Sequence, residues 1–255
     1  MLNTVIHGAA TEAPPLLIVH GLFGSAKNWG AIAKRMAQHR QVLAVDLRNH
    51  GDSPHTQSHS YPDLAADLAE VIAAHGGRAD VLGHSMGGKA AMVLALSQPE
   101  MVARLLVADI APVTYDRTQV GLIDAMERVD LSAVTKRSDA DAALAADVPD
   151  APTRAFLTQS LDLRAEGGPR WRLNLATLRR DMPRIMGFPE IDGRYTGPTL
   201  FLRGSASDYV LPAHGAEIDR LFPGADRDAI PGVGHWLHAE APGPFIARLT
   251  DFLDA

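Results

Sequence analysis

The chain has 255 residues, 46% of them hydrophobic and 21% charged, and a formal net charge of −6 with histidines neutral. These values exclude a disordered or fibrous chain and predict one globular domain with an insertion, while the acidic balance excludes a nucleic-acid backbone as the main partner. With no cysteine there is no disulfide framework, thiolate nucleophile or tetrathiolate metal site.

The N-terminal "MLNTVIHGAATEAPP" has no basic region followed by a long apolar core, and no run is long enough to span a bilayer. The sequence therefore reads as cytoplasmic, with no membrane span. Four apolar runs, residues 15–21, 41–47, 79–85 and 103–110, lack strict alternation, as strands covered on both faces do. Between them, residues 61–75 place Leu64, Leu68, Val71 and Ile72 at helical spacing and stop at Gly76 and Gly77; residues 86–97 form a second helix, closed by Pro99. Strands alternating with helices predict right-handed βαβ units and a parallel sheet.

From 111 to 195 the chain turns polar and helix-like, with "DVPDAP" and "EGGPRW" as breaks and no strand. A strand resumes at 197–204, followed by a helix at 213–222, a short strand at 226–232 and a final amphipathic helix at 244–253. The expected fold class is α/β, a mostly parallel central sheet flanked by helices. Residues 1–110 and 196–255 form its core, and 111–195 a helical cap over the sheet edge where such folds place their ligands.

Gly83-His84-Ser85-Met86-Gly87 is G-x-S-x-G at the end of a predicted strand and the start of a predicted helix. A turn that tight strains the serine backbone, and the flanking glycines admit the close approach of helix and strand. Ser85 is thereby lifted to the sheet edge as a candidate nucleophile. "HGLFGS", residues 20–25, follows the first of the four strands, where the N–H of Leu22, or alternatively Phe23, joins that of Met86 as an oxyanion donor. His20 reads as a hydrogen-bonded scaffold residue.

His235 sits between glycines and the last helix in "PGVGHWLHAEAP", in the chain order a serine, acid, histidine set requires. His238 reads as a surface residue. Two aspartates compete as the acid: Asp109, which ends the strand after the serine helix, and Asp208, which follows the penultimate strand. Spacing alone does not choose between them. Phe23, Trp29, Trp171 and Met86 are candidates for an acyl pocket, and Lys89, one helical turn past the serine, for a buried ion pair. His50, with Arg48 and Asn49, is placed in a supporting loop rather than in catalysis.

"HGLFGSAKNW", "DLRNHGDSPH", "GHSMGGK", "DIAPVTY" and "GVGHWLHAE" together make the chain resemble an α/β-hydrolase over nearly its whole length. More narrowly it is similar to the small bacterial carboxylesterases and acyl-thioesterases and their mitochondrial abhydrolase-domain relatives. The resemblance implies Ser85 as nucleophile and His235 as base. It also favours Asp109, which matches the family's "DIAPV" aspartate, over Asp208. The function expected is hydrolysis of a carboxylic ester or acyl thioester through an acyl-enzyme, with a small-molecule substrate and no metal or organic cofactor.

Two alternatives share the scaffold: the same three residues acting on a lactone, a C–C bond or a peroxide, and a small-molecule receptor or regulator with little turnover. Six arginines, 164, 170, 172, 179, 180 and 184, read as a solvated face or as contacts for an anionic substrate portion. The oligomeric state is left open.

Overall fold

The computed structural model describes residues 1–255. Its strands are β1 (Thr4–His7), β2 (Leu16–Val19), β3 (Val42–Val45), β4 (Ala79–His84), β5 (Val102–Ala108), β6 (Leu161–Asp162), β7 (Arg170–Trp171), β8 (Thr199–Gly204) and β9 (Asp226–Ile230). Seven of them form one sheet in the order β1-β3-β2-β4-β5-β8-β9. All its pairings are parallel except that of β1 with β3.

The unbroken apolar runs are explained by burial on both faces. Leu17 and Val19 of β2, and Leu105 and Val107 of β5, pack into one core cluster; Leu16 and Ile18, and Leu106 and Ala108, pack into another on the opposite face. Helices α1 (Gly30–Met36) and α10 (Pro242–Asp254) cover the second cluster with Ile32, Met36, Phe245 and Leu249. Helices α2 (Tyr61–Ala74), α3 (Met86–Ser97) and α8 (Gly215–Leu221) cover the first.

Between β5 and β8 run four further helices, α4 (Val120–Arg128), α5 (Arg137–Leu144), α6 (Ala151–Thr158) and α7 (Leu175–Met186). Their apolar faces, with Ile123, Leu144, Leu157 and Leu178 fully buried, are continuous with the first core cluster.

The structure differs from the sequence-based expectation in small elements. The stretch read as strandless contains the two-residue antiparallel hairpin β6/β7, and the edge strand β1 and helix α1 carried no recognisable signal. Such segments are too short for hydrophobic periodicity to register, and half of β1 faces solvent. The helix expected at 213–222 is a 3-10 turn (Pro212–His214) leading into α8.

Candidate active site

Ser85 joins β4 to α3 with φ 53° and ψ −122°, a conformation side-chain-bearing residues rarely adopt. Glycines make the turn possible by close approach. A Cβ on Gly83 would collide with the backbone of Gly87, and one on Gly87 with the carbonyls of Val19 and His20 in the neighbouring strand. The Ser85 carbonyl accepts from Lys89 N to open α3. Met86 is the helix's first residue, so its amide has no acceptor within the helix and stands beside the serine at the positive end of the dipole.

Two distant segments meet at this serine. His235, on the loop after β9, places Nε2 3.0 Å from Ser85 Oγ and Nδ1 2.7 Å from Asp109 Oδ2. Asp109 directly follows β5 at φ 51° and is 0% exposed. Its Oδ1 accepts from Gly204 N at 3.0 Å, and its Oδ2 also accepts from the Ser207 hydroxyl. With Nδ1–H donated to this carboxylate, Nε2 is left to accept the serine O–H.

Asp208 takes no part in that chain of bonds. Its side chain is 72% exposed and pairs with Arg117 at 3.2 Å, because the turn after β8 points Ser207 inward and Asp208 out.

Several supporting residues escaped sequence reasoning. His84, the residue before the serine, donates Nε2–H to the His235 carbonyl at 2.9 Å. Tyr209 stacks on the His235 ring at 3.8 Å with 17° between planes. Glu240, on α9 (Leu237–Glu240), accepts from Gly234 N at 2.7 Å and Trp236 N at 3.2 Å, on either side of His235. The signal available for Glu240 was its place one turn past the loop in "GHWLHAE"; Ser207 and Tyr209 carried none, since their roles depend on β8 lying beside β5.

Opposite the serine, His20 Nδ1 donates to Gly21 O, and its Nε2 accepts from Leu47 N at 2.9 Å, a scaffold role. His50 Nε2 accepts from Phe23 N at 3.2 Å. The Phe23 amide is thereby engaged, whereas the Leu22 amide has no acceptor within the protein. Leu22, Ser85 and Met86 line the same cleft, which encloses about 1020 Å³ including its open mouth.

Phe23 and Trp29 contribute to the cleft wall, as do Tyr115, Ile185 and Met186 from the segment between β5 and β8. Trp171 does not. Its indole donates to Met126 O at 3.0 Å and packs among the helices of that segment, so its place in the pocket is corrected to core packing.

His238 also departs from expectation. Rather than lying on the surface, it lines the cleft, stacked on Trp29 at 4.1 Å with its Nδ1 buried and unpaired. Burial, with His235 adding like-charge repulsion, lowers its pKa to about 3. Burial likewise lowers the pKa of His20, takes His50 and His84 well below the usual range, and brings His59 to about 3.

Lys89 makes no ion pair. Its ammonium donates to the carbonyls of Val113, Met186 and Gly187, and burial lowers its pKa to about 7. Of the six arginines, Arg172 pairs with Asp52 and Asp162, Arg179 with Asp124 and Glu127, and Arg180 and Arg184 with Asp181. Most of that basic run is thus matched within the protein.

A mostly parallel sheet whose fourth strand ends in a strained serine, with a late-loop histidine and a buried aspartate converging on it, defines a class of α/β proteins organised around a nucleophile turn. The chain belongs to the alpha/beta hydrolase family, whose model matches residues 16–248. It is 44% identical to the sn-1-specific diacylglycerol lipase ABHD11 of Mus musculus over 98% of this chain and 83% of that one. It is 34% identical to the esterase YbfF of Escherichia coli, covering 94% and 93% of the two chains. A solved marine microorganism esterase superposes with a TM-score of 0.93 at 37% identity, covering 98% of each chain. No helix is long and apolar enough to cross a membrane.

Proposed function

We propose that the protein is a carboxylic ester hydrolase that works through an acyl-enzyme on Ser85, with His235 as general base and acid and Asp109 as the residue that orients it. The observation that carries this reading is the unbroken hydrogen-bonded path from Asp109 through His235 to Ser85 Oγ, at 2.7 and 3.0 Å.

His235 Nε2 takes the serine proton as Oγ attacks the substrate carbonyl, and the new imidazolium is stabilised by the Asp109 carboxylate. The developing oxyanion is received by the amides of Met86 and Leu22, and collapse of the tetrahedral species expels the alcohol or thiol, protonated by His235. Water, deprotonated by the same imidazole, then attacks the acyl carbon; as the bond to Oγ breaks, His235 returns the proton to Ser85 and the acid leaves.

The segment 111–195 is read as a cap whose Tyr115, Leu122, Phe156, Ile185 and Met186 give the cleft an apolar wall. That wall suits an acyl chain, in line with relatives named as esterases and a diacylglycerol lipase. The substrates inferred are acyl esters, acylglycerols among them, and acyl thioesters, whose carbonyl presents the same target.

The test is Ser85→Ala. The wild type is expected to hydrolyse p-nitrophenyl esters and to be labelled by a fluorophosphonate, and the variant to lose labelling and about 10³-fold or more of kcat. Full esterase activity in Ser85→Ala would end the reading. Labelling of a wild type that turned over no ester, thioester or lactone would instead indicate a receptor built on this scaffold.

A further inference from the structure

Lys89 is 1% exposed, lies one helical turn along α3 from Ser85 and borders the substrate cleft, yet neither the acyl transfer nor any ion pair uses it. Its three N–H donors meet three carbonyl oxygens: Val113 at 2.8 Å, Met186 at 2.9 Å and Gly187 at 2.6 Å. Val113 lies just after β5, where the chain leaves the sheet; Met186 and Gly187 end α7, where it turns back. One ammonium therefore ties both ends of the segment that roofs the cleft.

The chemistry of each contact suits a cation. Carbonyls at a helix C-terminus have no partner within the helix and carry the negative end of its dipole. The Tyr115 ring face stands 4.7 Å from Nζ and that of Tyr61 5.8 Å. Tyr61 also donates its hydroxyl to Ile185 O at 2.6 Å, so three successive carbonyls at the end of α7 are held by core side chains. An apolar side chain at position 89 would leave the Met186 carbonyl only its second donor, Tyr115 N at 3.0 Å, and the Val113 and Gly187 carbonyls with no donor from the protein.

The residues so fixed are themselves cleft wall: Ile185 and Met186, and Tyr115 two positions past Val113. We propose that Lys89 is a specificity-determining positioning residue, which sets the depth of the acyl-binding wall by clamping the two ends of the cap segment to the nucleophile helix. The proposal rests on the acyl-enzyme reading above.

The experiment compares wild type with Lys89→Met across p-nitrophenyl esters from acetate to decanoate, alongside fluorophosphonate labelling of Ser85. The expected result is a fall in kcat/KM for decanoate about tenfold larger than that for acetate, carried mainly by KM, because a loosened wall discriminates chain length poorly. A Lys89→Met profile over chain length parallel to the wild type overturns the proposal.

Should that variant fail to fold, the wild type supplies the test through pH. Burial brings the Lys89 amine into titration near neutrality, and a neutral amine has two N–H groups for three carbonyls. Tyr61 and Tyr115, which face it, are pushed by burial above their usual range and do not titrate there. Arg117, over the Tyr115 ring, stays cationic. The decanoate to acetate ratio of kcat/KM, in which the titration of the catalytic groups cancels, is expected to decline from pH 6 to pH 9. A ratio constant over that range overturns the clamp. A wild type that hydrolyses none of these esters instead overturns the acyl-enzyme reading.

Discussion

Asp109 and Ser85 share an unusual property: both hold a left-handed backbone, at φ 51° and 53°, at the ends of adjacent parallel strands. Such strain persists only where surrounding contacts over-determine it. For Asp109 those contacts are Gly204 N, the Ser207 hydroxyl and His235 Nδ1, which hold the carboxylate in one orientation against the ring. Asp109→Asn is therefore expected to lower kcat by about 10⁴-fold, since an amide can present an N–H to Nδ1 and favour the wrong tautomer. Asp208→Asn, which breaks an exposed pair with Arg117, is expected to stay within about twofold of wild type. Steady-state kinetics on one ester decide both, and equal losses would contradict the assignment of the acid.

Among elements, the short helix α9 does more than join β9 to α10. Its Glu240 accepts the two amides that flank His235, so the ring is aimed by a loop tied at both sides. Removing that carboxylate in Glu240→Ala is expected to reduce kcat about tenfold with little change in KM, because misplacing a reacting group costs rate rather than binding. Glu240→Gln, with one acceptor oxygen, should fall between.

The start of α3 offers a stability counterpart. Gly87→Ala forces a methyl group into the backbone of Val19 and His20, which cannot move aside as a flexible side chain would. A loss of about 3 kcal/mol or more is expected by urea denaturation, as for severe overpacking of a core.

For the molecule as a whole, the histidines set a pH limit. His20, His50, His59, His84 and His238 all have pKa values lowered by burial, His59 and His238 to about 3. In the unfolded chain each titrates near its ordinary 6.5, so below that pH the unfolded state binds protons that the folded state does not. Stability is therefore fully present above pH 6.5 and lost as pH falls towards 3, with a limiting slope of about 1.4 kcal/mol per pH unit for each such ring. Urea midpoints at pH 7, 6 and 5 check this, the expected outcome being a steep fall below neutrality; an unchanged midpoint would contradict neutral burial.

Parallel β-strands and the strained serine turn were legible in the amino-acid order because their causes are local or nearly so. Strands buried on both faces must be continuously apolar, and a strand-to-helix turn that packs against a neighbour's backbone must carry glycine. His235 could be nominated for the same reason, from its glycine-flanked loop and its order in the chain. What only the tertiary structure decided was which acid meets the imidazole, that Phe23 N is already occupied, that Trp171 packs away from the cleft, and that His238 and Lys89 border it. Those outcomes depend on β5 lying beside β8 and on α7 ending over α3, contacts between residues about a hundred positions apart that no local pattern encodes.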